Sequence, residues 1–266
     1  KYNDLISTEN VDILFLGSSH VLRGFDPRIF REAGIDVFNL GTAGQTPVNS
    51  KALLRTHLDR LNPKVIILEI SFHQLAMDGN QPSLVLVSNF KNNLHSIRMV
   101  IAQKNIVLFN TLIYGLYKDY LKPAVQVSGE IETEKYIKGG YFEQVPGYKA
   151  PLEKINKTID RISKLTLKKN QLQLDSFREI VELTKERDLR LILVQMPVTN
   201  YRYAIYSNKS EFDNEMSAIG EYYNFNELIE LDPDQHFYDH NHLSQKGVDK
   251  FNKFFIERLK LDQSLK

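Results

Sequence analysis

The 266-residue chain carries 34 Lys and Arg against 33 Asp and Glu, and the resulting net charge of +1 gives no broad pull toward nucleic acid or anionic lipid. With no cysteine, structural disulfides and thiolate metal sites are excluded. No stretch approaches the roughly 18 consecutive apolar residues of a membrane span, and the length suffices for one sizeable α/β core.

Short apolar runs alternate with longer amphipathic ones, a pattern that predicts a parallel sheet covered by helices. The predicted strands are Ile13–Gly17, Val37–Leu40, Val65–Ile70, Leu191–Gln195 and Leu228–Leu231. A helix from about Val48 to Leu61 follows the second strand and is closed by Asn62-Pro63. After the third strand, Ser83 to Lys122 is rich in apolar and tyrosine residues and reads as inserted helices. Pro123 to Pro151 has weak periodicity, four glycines (Gly129, Gly139, Gly140, Gly147) and four aromatics, Tyr136, Tyr141, Phe142 and Tyr148. A loop of that length suggests a lid, a binding loop or disorder. The whole chain, 1–266, thus reads as a single domain with a helical and loop insertion at about 83–151.

Further on, Ile155, Ile159, Ile162 and Leu165 recur at helical spacing within Glu153 to Lys168, and a second helix spans about Asp175 to Arg187. The last helix should begin at Ser244, a good N-cap, and turn Val248, Phe251, Phe254, Phe255 and Leu259 to the core. At the other end, Lys1 stands about a dozen residues before the first predicted strand, which leaves a signal or membrane anchor ahead of this chain as an expectation. The lack of cysteine fits a cytoplasmic protein and a disulfide-free exported one equally.

An open parallel sheet places its ligands at the C-terminal ends of its strands, and the polar residues gather there. Ser18 and Ser19 follow the first strand, Asn39-Leu-Gly41-Thr-Ala-Gly44-Gln-Thr46 the second, and Ser71-Phe72-His73 the third. A loop with Asp239 and His242 follows the fifth. Serine, histidine and aspartate together are the parts of a nucleophilic hydrolase or acyltransferase, provided the fold brings the chain ends together. His20 reads as facing the turn after Ser19. His236, Asp239, His240 and His242 crowd one segment but lack a regular ligand-bearing face, so no metal is expected, and without a P-loop or a three-glycine fingerprint no nucleotide or other cofactor is expected either.

These blocks resemble those of the SGNH (GDSL-like) hydrolase superfamily. Gly17-Ser18-Ser19 is similar to the first block, which implies Ser19 as nucleophile with Ser18 in place of the usual aspartate. Asn39-x-Gly41-x-x-Gly44 is similar to the second, which implies the Gly44 N–H as an oxyanion donor beside that of Ser19. Asp239-x-x-His242 is similar to the last, implying His242 as base and Asp239 as its orienting acid. In the third block, Glu69-Ile-Ser-Phe-His73 puts His73 where the family carries an oxyanion-hole asparagine; a neutral imidazole could donate one N–H there.

The resemblance implies a flavodoxin-like three-layer α/β/α sandwich with a central parallel sheet of about five strands. It also implies a serine esterase or O-acyltransferase acting on an acylated carbohydrate or other small ester. Relatives that act in O-acylation of bacterial surface polymers suggest a cell-envelope setting, exported or membrane-anchored. The alternative is a catalytically weak module that binds polymer or protein in an envelope assembly. Tyr141 and Phe142 are candidate substrate-binding residues, stacking on a sugar ring; the other reading of these aromatics is that they anchor their loop to the domain.

Overall fold

The computed structural model describes residues 1–121, 134–144 and 168–260. Four of the predicted strands form where the apolar runs stand: β1 (Ile13–Leu16), β2 (Val37–Asn39), β3 (Val65–Glu69) and, after a hairpin of β4 (Glu134–Ile137) and β5 (Tyr141–Gln144), β6 (Arg190–Gln195). The fifth differs. Leu228–Leu231 is not a strand; β7 is Glu221–Asn224, and Phe225–Leu228 is a short helix. As an edge strand, β7 pairs on one side only, so its Glu-Tyr-Tyr-Asn sequence need not be apolar on both faces. Leu228, Ile229 and Leu231 instead cover the core from outside the sheet.

The main sheet has the order β2-β1-β3-β6-β7, parallel throughout, with Ile13 opposite both Val37 and Val65, and Val65 opposite Arg190. Alternation along the strands splits the core into two layers. Leu14, Leu16, Ile66, Leu68 and Leu193 face Leu54 and Leu58 of the Pro47–Leu61 helix and Ile180 of the Gln171–Glu186 helix. Ile13, Phe15, Ile67 and Val194 face the opposite layer, where Val248, Phe251, Phe255 and Leu259 of the Gln245–Leu259 helix are buried and Phe254 packs at the margin. This is a three-layer α/β/α sandwich. Ser244 caps the last helix as expected, its side chain accepting from the Gly247 N–H at 3.2 Å.

Three helices, Asn80–Asn89, Leu94–Gln103 and Ile106–Tyr120, stand between β3 and the hairpin. No helix of the described residues is long and apolar enough to cross a membrane. The helix expected over 153–168 and the aromatic Tyr148 lie outside the described residues, Lys168 excepted.

Within the region expected to be loop, residues 134–144 form an antiparallel hairpin. It docks through the Gly139 carbonyl, which accepts from the Asn39 N–H at 2.7 Å, and through Tyr136, whose hydroxyl donates to Asp4. The ion pairs Arg23–Glu134 and Arg28–Glu143 hold its two strands from outside. Gly140, at φ +96°, lies so close to β2 that an added Cβ would stand 2.1 Å from the Asn39 carbonyl oxygen. Gly140→Ala should therefore lower stability by about 1–3 kcal/mol in denaturant titration, because both backbones must shift. Gly34→Ala, also at positive φ but with nothing within 4 Å, should cost less.

Candidate active site

In the order β2-β1-β3 the chain path reverses between β1 and β3, and the crevice at such a switch point is where open α/β sheets bind ligands. Leu16 and Leu68 are opposite each other at the ends of these strands, so the next residues, Gly17 and Glu69, meet at the crevice floor. A Cβ on Gly17 would lie 2.5 Å from Glu69 Cβ and 2.6 Å from Val21 Cγ2, so only glycine allows this approach. Ser18 then caps a one-turn helix, Ser19–Leu22, with its side chain accepting from the His20 N–H.

Glu69 is buried at 2% exposure and serves as acceptor for the whole turn. It accepts from the Ser18 N–H at 2.6 Å, from Ser18 Oγ at 3.0 Å, from His20 Nδ1 at 2.8 Å and from Gln74 Nε2 at 3.2 Å. Burial pushes its carboxyl pKa up, but the His20 charge and hydrogen bond and the two bonds from Ser18 outweigh it and hold the pKa below the usual range. Glu69 thus remains ionised.

His242 comes from far along the chain. Phe237 and Leu243 pair as an isolated bridge, with the Tyr238 N–H donating to the His242 carbonyl, so the segment between them is pinched into a tight loop. Inside it Asp239 Oδ1 accepts from the Asn241 and His242 N–H groups at 2.7 and 2.8 Å, and Oδ2 meets His242 Nδ1 at 2.8 Å. His242 Nε2 lies 2.8 Å from Ser19 Oγ, across 223 residues of sequence. Burial pushes the Asp239 carboxyl up, yet the His242 bond and charge and the two amides hold it at about 2. An ionised carboxylate only accepts, so His242 Nδ1 carries the proton and Nε2 is left to accept from Ser19. Burial lowers the His242 pKa more than the Asp239 bond raises it, and His20 adds to the lowering; His242 is neutral at pH 7.

Ser19, Gly44, His73 and His242 line one cleft of about 190 Å³. Gly44 has φ +67° and open space on its Cβ side, its nearest neighbour being Pro82 Cδ at 4.0 Å. His73, on the Phe72–Ala76 helix, is lowered in pKa chiefly by burial and then by Arg202, so it too is neutral and can donate one N–H. Asn39 fixes the second block: its Nδ2 donates to the Val21 and Phe25 carbonyls at 2.6 and 3.1 Å while its Oδ1 accepts from the Gly41 N–H.

Two sequence-based expectations are corrected. His20 faces the cleft, with its ring centroid 5.4 Å from that of His242. Tyr141 and Phe142 do not line the cleft. Tyr141 is 1% exposed, its hydroxyl donating to Gln245 Oε1 at 2.7 Å, and Phe142 packs edge-on against Tyr136. They anchor the hairpin. His236 is likewise buried, its Nδ1 accepting from the Asp232 N–H. Glu69, Gln74 and Arg202 were not foreseen. A lone carboxylate ending the apolar run Val65–Leu68 on the ligand edge was the available signal for Glu69; for Arg202, on a four-residue helix, there was none.

No family model matches the chain, and no curated protein matches it in sequence. The solved structures it is similar to include GDSL-like lipases and carbohydrate esterases. One is a GDSL-like lipase from Bacteroides thetaiotaomicron, with TM-score 0.46 and 11% identity, covering 97% of this chain and 94% of that one. A catalytic mutant of an acetylxylan esterase from Geobacillus stearothermophilus has TM-score 0.45 and 14% identity over 95% of each chain. A family 3 carbohydrate esterase from Clostridium thermocellum has TM-score 0.43 and 12% identity over 97% of this chain and 99% of that one.

Glu69→Gln should destabilise the turn strongly. Glutamine has one acceptor oxygen and turns an amide toward groups that themselves donate, leaving buried partners unsatisfied at about 1–3 kcal/mol. The denaturant midpoint should fall accordingly, while Ser18→Ala, which removes one hydroxyl and keeps the backbone bond, should shift it less.

Proposed function

We propose that this protein is a serine esterase or O-acyltransferase that acts on acylated carbohydrate. The observation that carries the reading is the continuous chain from Ser19 Oγ through His242 to Asp239, with both contacts at 2.8 Å. Ser19 Oγ attacks the ester carbonyl carbon as its proton passes to His242 Nε2. Asp239 holds the ring orientation and stabilises the imidazolium that forms. The tetrahedral oxyanion is met by the N–H groups of Ser19 and Gly44, with His73 supplying a side-chain donor in place of an amide. Collapse returns the His242 proton to the leaving sugar oxygen and leaves an acyl-Ser19. Water, deprotonated by His242, then releases the carboxylic acid; a sugar hydroxyl in its place gives a new ester. The same reading sets the substrate in the cell envelope, where polymer O-acylation needs such chemistry.

A fluorophosphonate should label the folded protein stoichiometrically at Ser19, as read by mass spectrometry. Label elsewhere, or none, would turn the reading toward a polymer-binding module. Ser19→Ala should retain the fold and lower ester hydrolysis at least about 1,000-fold.

The activity should rise with pH along one acid limb. Protonation removes the base, and because burial lowers the pKa of His242, the midpoint should fall below the ordinary imidazole value of 6.5. Measuring kcat/KM against pH with a neutral ester tests this; a midpoint above that value would contradict it.

A further inference from the structure

The Ser19–His242–Asp239 arrangement leaves one charge in the cleft without a task. Arg202 lines the cleft with Ser19, Gly44, His73 and His242. Arg23, which flanks the same site, is closed off by Glu134. Among the described residues no carboxylate stands within ion-pair distance of the Arg202 guanidinium; its one close partner is the ring of Tyr206, whose centroid lies 5.6 Å from Cζ. The acid that lines the cleft, Glu69, is already committed to Ser18, His20 and Gln74, and Asp239 behind His242 is committed to the 239–242 loop.

The guanidinium is also held in place. Tyr206 stacks on Phe72 at 5.6 Å, and Phe72 packs on Phe212 at 4.1 Å, so the platform beneath Arg202 is rooted in the core. Thr199 caps the Asn200–Tyr203 helix, its hydroxyl accepting from the Arg202 N–H at 3.3 Å. The N–H and hydroxyl of Thr199 both donate to the His240 carbonyl at 3.2 Å, within the loop that carries Asp239 and His242. A planar fork of donors, stacked on one face, free at its edge and tied to the histidine loop, is the arrangement that receives a carboxylate or phosphate. Its positive field is already felt: after burial, Arg202 is the next largest influence lowering the pKa of His73.

We infer that Arg202 binds an oxyanion, a carboxylate or a phosphate, carried by the ester substrate beside the bond that Ser19 attacks. The ester's position rests on the esterase reading; the anion site does not. The substrate class narrows to acylated sugars bearing a negative charge, such as units of an anionic polysaccharide or a phosphate-containing polymer. Neutral acetyl sugars leave the guanidinium unpaired.

Binding tests this without requiring turnover. Methyl glucoside, methyl glucuronoside and methyl glucoside 6-phosphate are titrated into the protein at low salt, and the imidazole C–H resonances of His73 and His242 are followed by NMR. At least one charged sugar should bind about tenfold or more tightly than the neutral one, raise the His73 pKa, and weaken as salt is added. Preference for the uronate or for the phosphate assigns the source of the anion. Arg202→Gln, with its fold checked by circular dichroism, should bring the three affinities together, and Arg202→Lys should restore part of the preference. Equal binding of all three sugars by the wild type, or a preference that survives in Arg202→Gln, overturns the inference. Fluorophosphonate labelling at Ser19 with equal sugar binding would remove the anion site and leave the esterase; charge-selective binding without labelling would do the reverse.

Discussion

A single buried carboxylate, Glu69, fixes the geometry on which the rest of the site depends. Removing an ion from water costs several kcal/mol, and such a charge persists only where hydrogen bonds surround it. Glu69 has them from Ser18, His20 and Gln74. The consequence is a turn defined at both ends, by the strand register that brings Glu69 opposite Gly17 and by the Ser18 N–H that donates to it. Ser19 leaves that turn at the first position of a helix, so the direction of its Oγ follows from the sheet and not from a free loop. Ser18, just before it, sends its hydroxyl to the same carboxylate on the neighbouring strand.

The second constraint joins the two ends of the chain. Asn252, buried in the Gln245–Leu259 helix, accepts from the Asp26 N–H and donates to the Gly24 carbonyl, just past the Ser19 turn. Around it Phe15 stacks on Phe25 at 4.0 Å, with Phe251 and Phe255 packed against Phe25. Non-directional aromatic burial supplies the attraction, and the asparagine supplies the register. The hairpin adds a third tie, from Asp4 through Tyr136 and from Tyr141 to Gln245.

Sequence and structure agree where burial is complete and part where it is not. β1, β3 and β6 are covered on both faces, so their apolar runs announced them, and the Gln245–Leu259 helix showed its cap and core face in order. β7 is an edge, half-exposed, and its tyrosines satisfy packing and polar demands together: Tyr222 donates to Asp213. The run Leu228–Leu231 looked like a strand because periodicity reports burial, whichever element provides it. The hairpin carried a readable signal in Gly139–Gly140 between two tyrosine-bearing runs, a turn with glycine flanked by strand formers. At the site, Ser19, Gly44, Asp239 and His242 stand in short blocks of recognisable spacing. Arg202 and the Glu69–His20 pair become visible only when separate segments meet in space.

Order of synthesis gives the end-to-end assembly a temporal meaning. Ser19 is made before its histidine partner, which is encoded 223 residues later. Domains fold as units, and pairings of long sequence separation are slow to form because loop closure must be paid first. The serine turn therefore takes its lasting geometry only when the sheet that buries Glu69 has assembled around it. A nascent or C-terminally clipped chain would display the hydroxyl without its partner. The Ser19–His242 contact thus waits on the docking of the helix that carries Asn252, which ties the local geometry of the serine turn to the closing of the core.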